Sequence, residues 1–233
     1  MKCMAGHRPI IVAHRGLHER HPENSLAAFS AACEQGIVWC ECDVQLSADG
    51  VEVVIHDETL NRTTTGKGPV IAQSWSALGK LRLLDADGNP TEQLIPSLDQ
   101  VLRTPRSCRF MVETKPLLGD RILGIAHKVL KKRGLLQSFH ATDMELARRS
   151  LGRRMDCAVL ADEPVEAPDP VRRLHVDYHA LDKRTLKRLT AAGISVGAWT
   201  VNESKQIRKL IRWGVEVIVT DRPLLARSIL ERL

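Results

Sequence analysis

The chain alternates short apolar runs with longer amphipathic stretches, and glycine marks most of the changes between them. "EQGIVWCECDV", "KRGLLQSF", "AAGISVGAWTV" and "RWGVEVIVTD" each read as a helix closed at Gly36, Gly134, Gly193 or Gly214 and followed by a strand. Glycine suits the left-handed position just past a helix because it has no Cβ to clash. "SLGRRMDCAVL" repeats the pattern less cleanly around Gly152. Helix starts are marked as well. Asn24-Ser25 precede "LAAFSAACEQ", where Leu26, Phe29 and Cys33 share a face; Thr142 and Glu145 have capping-box spacing; Asn202 and Asp221 open the last two helices.

This pattern predicts strands at 9–14, 37–45, 51–55, 109–114, 135–139, 155–160, 194–199 and 215–219, with 175–178 a weaker ninth. Alternation of strands with helices argues for a parallel sheet, and about eight such units argue for a closed barrel. The expected fold is therefore α/β, a TIM-type (β/α)8 barrel with a small insertion subdomain after an early strand. A length of 233 residues suits one domain, 1–233. Two places break the rhythm. Only "SADG" separates the second and third strands, and residues 57–96 form a long insertion before a helix at 97–104. Loops of that length are usually functional or locally structured, and this one follows "VIHD", where a lid or substrate wall would sit.

Composition changes little in this picture. The chain is 43% hydrophobic and 27% charged, with a net charge of +6 that favours anionic partners. Four Trp, three Phe and one Tyr leave little for stacking on bases, so nucleic acid is a weak expectation. Basic segments such as "KVLKKRG", "RRSLGRR" and "KRTLKR" read as solvated helix faces. The six cysteines, Cys3, Cys33, Cys40, Cys42, Cys108 and Cys157, include no CxxC pair, and reduced buried thiols are expected. "PIIV" is too short for a secretory apolar region, and nothing approaches the ~18 apolar residues of a membrane span. The reading is a soluble, cytoplasmic protein without stable membrane insertion.

Candidate chemistry lies at strand ends. In "WCECDVQ" the period of two puts Trp39, Glu41, Asp43 and Gln45 on one face and Cys40, Cys42 and Val44 on the other. Glu113 and Lys115 share a face in "FMVETKP". Buried carboxylates repel unless a cation or protons compensate. Glu41, Asp43 and Glu113 together make a hard-oxygen site suited to Mg²⁺ or Ca²⁺; the structural alternative is pairing with Arg15 and Lys115. His14 and His56 each end an apolar strand, which places both at the barrel rim where such folds carry active sites. Beside carboxylates and an arginine they read as an acid/base pair. His7, His18, His21 and His127 read as surface residues, while His140, His175 and His179 stay unassigned.

"AHRG…PENS", "ECDVQLSADGVEVVIHDETLNRTTTGKG", "IPSLDQVL", "VETK", "AWTVN" and "GVEVIVTDRP" together resemble the glycerophosphodiester phosphodiesterase family, in order, from about residue 10 to 225. The likeness is to its short, soluble bacterial members. It implies a TIM-type barrel with 57–96 as a capping insertion. It also implies catalytic His14 and His56, substrate contacts from Arg15, Lys115, Asn24 and Trp199, and one divalent cation on Glu41, Asp43 and Glu113. Ser25 stands where the family motif commonly ends in threonine and keeps the hydroxyl; Glu216 and Val217 replace a common aspartate and glycine at positions that read as structural. The implied reaction is metal-dependent hydrolysis of a small glycerophosphodiester to sn-glycerol 3-phosphate and an alcohol, through a cyclic phosphate. The alternatives are a lysophospholipase D-like enzyme and a non-catalytic phosphodiester-binding barrel. The sequence is silent on the head group, on Mg²⁺ against Ca²⁺, and on which histidine acts first; a homo-oligomer is compatible with it.

Overall fold

The computed structural model describes residues 8–103, 107–115, 121–165 and 169–233; Cys3, His7 and the last residue of the expected helix 97–104 lie outside them. The strands are β1 (Ile10–Ala13), β2 (Trp39–Leu46), β3 (Glu52–Val54), β4 (Arg82–Leu84), β5 (Pro90–Leu94), β6 (Arg109–Thr114), β7 (Leu135–Ser138), β8 (Asp156–Ala161), β9 (Arg173–Asp177), β10 (Ser195–Trp199) and β11 (Val217–Thr220). The helices are α1 (Leu26–Glu34), α2 (Trp75–Leu78), α3 (Leu98–Val101), α4 (Ile122–Lys131), α5 (Ala141–Leu151), α6 (Lys183–Ala191), α7 (Ser204–Trp213) and α8 (Pro223–Glu231). Parallel strands run in the order β1-β11-β10-β9-β8-β7-β6-β2, and β1 pairs with β2 to close the ring. The fold is a TIM-type barrel, and the larger apolar core lies between its wall and the helices, where Cys40 and Cys42 are fully buried. Burial pushes the Cys40 thiol up to about 12.

The membership of the ring differs from the sequence reading. Residues 51–55 do not supply a barrel strand: β3 runs antiparallel to β2, outside the ring. Residues 173–177, read as the weaker ninth strand, are the full barrel strand β9. Two features disguised it. No helix separates β8 from β9 among the described residues, and the buried run includes His175 between Arg173 and Asp177. After β3, residues 57–96 are compact rather than structureless. Leu60, Val70, Leu78 and Leu83 pack with Val53, Ile55 and Ile95 in a separate apolar cluster, beside the β4–β5 hairpin.

Several boundary signals also resolve differently. His140, not Thr142, stands at the N-cap of α5, and Glu203 and Arg222 stand at the N-cap positions of α7 and α8 without a side-chain capping bond. The left-handed residue after α4 is Arg133, φ 53°; Gly134 is required because a Cβ there would lie 2.5 Å from the Phe110 carbonyl oxygen. The expectation of reduced thiols fails for one pair. Cys33 and Cys108 form a disulfide, because the end of α1 meets the residue before β6 although 75 positions separate them. Cys40, Cys42 and Cys157 are free and buried. No described helix is long and apolar enough to cross a membrane.

Candidate active site

Carboxyl ends of parallel barrel strands share one rim, so residues that follow β1, β2, β6, β10 and β11 converge there. The turn after β1 is built to hold that convergence. Arg15 and Gly16 both adopt positive φ, 54° and 85°. A Cβ on Gly16 would lie 2.8 Å from Ala28, so only glycine lets the turn dock on α1. Left-handed geometry at Arg15 costs about 1–2 kcal/mol. It is held by the Arg15 amide donating to Glu41 Oε2 at 3.1 Å, and by the Asn24 amide donating to the Arg15 carbonyl at 3.0 Å.

β2 projects Glu41 and Asp43 inward, 2% and 1% exposed, and β6 supplies Glu113 from the neighbouring strand, level with Asp43. One oxygen from each lies within 4.8 Å of the others. Lys115 Nζ bonds Asp43 Oδ1 at 2.9 Å and also bonds Glu113. Arg15 Nε approaches Asp43 Oδ2 at 3.3 Å. Burial works to raise the Asp43 carboxyl, yet Lys115, Arg15 and His56 hold it down at about 2. Glu41 behaves oppositely: burial, then the charges of Asp43 and Glu113, push it well above the usual carboxylate range. Glu113 is raised by burial and by Asp43. Three carboxylates thus face two cations, and Glu41 Oε1 is buried without a hydrogen-bond partner. A hard divalent cation fits this donor set, since it would satisfy the orphaned oxygen and offset the excess charge.

Both rim histidines are held at Nδ1 by a carboxylate. His14 Nδ1 lies 2.6 Å from Asp221 Oδ1, and its Nε2 lies 4.0 Å from Glu41 Oε2. Asp221 is fixed in turn by Asn202, whose Nδ2 donates to Oδ2 at 2.5 Å, so these two residues serve the site rather than capping helices. His18, read as a surface residue, is half-buried and shares Asp221 Oδ1 at 2.9 Å. His56 reaches the rim by a different route. β2 overshoots the barrel mouth, and β3 returns antiparallel until the Ile55 amide bonds the Asp43 carbonyl. His56 Nδ1 then lies 2.8 Å from Asp57 Oδ1. Arg62 forks onto both oxygens of Asp57 at 2.7 Å and onto both of Glu23 at 2.8 and 2.9 Å, while Glu23 Oε1 accepts from Arg15 at 2.8 Å. The Arg62 bonds, against the pull of burial, depress the Asp57 carboxyl, and burial lowers the His56 imidazole below its ordinary value.

A cavity of about 180 Å³ opens between these groups, lined by His14, Arg15, Glu41, His56, Glu113 and Lys115. Trp199 also lines it, its Nε1 donating to the His175 carbonyl at 3.0 Å, and Phe139 meets its ring edge-on at 5.7 Å. Asn24 does not reach the cavity wall. It is 2% exposed and its amide nitrogen donates to Asp43 Oδ2 at 2.9 Å, so it orients that carboxylate from behind. The sequence reading missed Phe139, Gln137, Leu160, Thr200 and Val219 on the wall, and Asp221, Asn202 and Arg62 behind it. Phe139 and Asp221 each follow a strand directly, a signal that could have found them. Of the other histidines, His175 is fully buried with Nδ1 2.8 Å from Gln137 Oε1, and burial lowers it to about 3.

The glycerophosphoryl diester phosphodiesterase family matches residues 14–225 of the chain. A glycerophosphodiester phosphodiesterase of Bacillus altitudinis is 33% identical over 246 residues, covering 96% of this chain and 98% of the relative. A phosphodiesterase of Oleispira antarctica, solved in complex with the product sn-glycerol-3-phosphate, superposes with a TM-score of 0.79 and 26% identity over 96% of this chain and 97% of its own. A glycerophosphodiester phosphodiesterase of Thermotoga maritima does so with a TM-score of 0.78 and 26% identity over 97% and 100%. The family match runs from the first rim histidine, His14, past Asp221, which holds its ring, and the chain is an enzyme of the glycerophosphoryl diester phosphodiesterase family.

Proposed function

We propose that this enzyme hydrolyses small glycerophosphodiesters to sn-glycerol 3-phosphate and an alcohol, using His14 and His56 as acid and base. The observation that carries this reading is the pair of histidines, each anchored at Nδ1 by a carboxylate, lining one cavity with Arg15, Lys115 and the carboxylate cluster. Anchoring Nδ1 leaves Nε2 to exchange a proton with substrate. The cavity, about 180 Å³, is smaller than the ~300–1,000 Å³ of drug-sized pockets, which suits a phosphoglycerol half more than a nucleotide.

Glu41, Asp43 and Glu113 would hold one Mg²⁺ or Ca²⁺, which when bound neutralises phosphate charge as a Lewis acid. Arg15 presents a planar fork to the phosphate and Lys115 a point charge, and both stabilise negative charge as it builds on the phosphoryl oxygens. Trp199 packs on the glycerol carbons. One histidine takes the proton of the glycerol hydroxyl as it attacks phosphorus, and the other protonates the departing alcohol oxygen. A cyclic phosphate results, and the histidines exchange roles when water opens it. Residues 57–96 form the capping insertion over this site, within a single catalytic domain.

The test is release of glycerol 3-phosphate from glycerophosphocholine with Mg²⁺, with Ca²⁺ and with chelator, beside His14→Ala and His56→Ala. Release that persists in chelator or in either variant overturns the mechanism. Phe139, 46% exposed beside Trp199, favours lysophospholipids as a second substrate class, and lysophosphatidylcholine in the same assay decides it. A cytoplasmic location belongs to the same reading. The Cys33–Cys108 disulfide argues against it, since such bonds are rare in reducing compartments, and a thiol count on protein trapped from cells separates the two.

A further inference from the structure

The charge of the chain is distributed along the barrel axis. Carboxylates crowd the mouth, whereas the opposite end, where the strands begin, is basic. β7, β8 and β9 are neighbours in the ring, and each is preceded or opened by a basic pair: Lys132-Arg133, Arg153-Arg154 and Arg172-Arg173. Of the acidic residues at this end, Asp169 pairs with Arg172 at 3.3 Å and Asp156 and Glu216 with Arg173 at 3.3 and 3.8 Å, while Glu34 is exposed at the end of α1. Arg133, Arg153 and Arg154 are exposed, and no described carboxylate lies within 4.0 Å of their guanidinium groups. A groove of about 580 Å³ runs between Arg148, Arg153 and Arg172. Arg133 lies beyond the end of α4, and Arg153 and Arg154 lie in the single 3-10 turn Gly152–Arg154 that continues α5.

The same end exposes aliphatic side chains. Ile10 opens β1, Val38 immediately precedes β2 and Leu233 follows α8; they are 38%, 47% and 53% exposed. We infer that this end of the barrel is a docking surface for an anionic phospholipid bilayer. Basic side chains meet the headgroups, each contributing within a Debye length of the surface, while the aliphatic residues reach the headgroup–acyl boundary. A nucleic acid would engage the arginines but leave Ile10, Val38 and Leu233 without a partner. In this orientation the mouth faces water, away from the bilayer.

The test is sedimentation of the full chain with vesicles of phosphatidylcholine alone and of equal parts phosphatidylcholine and phosphatidylglycerol, at low and high salt. Binding to the mixed vesicles only, released by salt, is expected. The double variant Arg153→Ala/Arg154→Ala should bind about 30-fold more weakly, from about two exposed charges at the surface. Lys183→Ala/Lys187→Ala, which removes two exposed lysines from α6, the helix that starts after the carboxyl end of β9, should bind as the parent does. Phosphodiesterase turnover on a soluble diester should be the same in both, so failure of docking is distinguishable from failure of the enzyme. Absence of binding, equal weakening by the two double variants, or stronger binding to duplex DNA at the same salt would each overturn the proposal.

Discussion

Each of the two rim histidines has an aspartate carboxylate at Nδ1, but the surroundings of those carboxylates differ. Asp221 follows β11, on the strand that pairs with β1, and accepts from Asn202 and His18 besides His14. Asp57 lies on the excursion outside the ring, and its other partner is Arg62, a side chain 48% exposed that also grips Glu23. One histidine is thus held by the barrel, and the other by an ion-pair chain running from Asp57 through Arg62 and Glu23 to Arg15. Barrel closure fixes the first pair. The second depends on how residues 57–96 fold against the rim, so that segment can influence catalysis without contributing a reacting group.

The rings themselves should not differ. His14→Ala and His56→Ala are each expected to reduce kcat about 10³-fold, within the range for loss of a positioned acid or base. A loss confined to one variant would remove the other histidine from the reaction. The supports should differ. Asp221→Asn replaces an acceptor with a group that can donate, favours the wrong tautomer of His14, and leaves His18 and Asn202 misfitted; a drop of about 10²–10³-fold in kcat is expected. Asp57→Asn should cost about tenfold, because the His56 ring is 36% exposed against 18% for His14, so water can reach it and substitute for the carboxylate. Equal losses in steady-state kinetics would mean that exposure of the ring does not matter, and the contrast drawn above would fail.

The same contrast explains how far the sequence was readable. His14, Arg15, Glu41, Asp43, Glu113 and Lys115 were legible because strand period and strand ends place them, and both are local properties. β9 was harder to read because its alternation carries His175, and among the described residues no helix separates it from β8 to announce a strand. The supports were the least legible. Asp221 meets His14 across 207 residues and Arg62 meets Glu23 across 39, and only closure of the ring and the fold of the excursion bring them together. Cys33 and Cys108 illustrate the same limit, since neither their spacing nor their neighbours advertise the bond. Asn24 was found, but its direction was not: a motif gives the position, whereas the hydrogen bond to Asp43 shows that it faces the carboxylate and not the cavity.

Titration gives a smaller test of the exposed half. Burial lowers the His56 imidazole, with Arg15 and Lys115 acting in the same direction, while Asp43 and Asp57 oppose them. In chelator, the His56 ring resonances should therefore shift with a midpoint below the ordinary value of about 6.5. Asp57→Asn removes one of the groups that raise it, so the midpoint should fall further. A rise in that variant would mean that Asp57 acts mainly by drying the ring and not through its charge.

Arg62→Ala should have the smallest effect, and pH decides what it means. Its fork is largely exposed, so its loss should cost about 1 kcal/mol, a shift in Tm of about 2–4 °C for a chain of this size. Arg62 depresses Asp57 through its hydrogen bonds, and with Arg15 it outweighs burial to depress Glu23. A carboxyl held below its unfolded value adds stability above that value, about 4 for these groups, and loses it as pH falls through the folded one. The Tm gap between parent and Arg62→Ala should therefore be widest near neutral pH and narrow below about pH 4. A gap that stays constant into acid would mean that Arg62 holds the excursion by packing its aliphatic stem. The chain from His56 to Arg15 would then be a scaffold whose charges are incidental, and His56, like His14, would be held by packed structure.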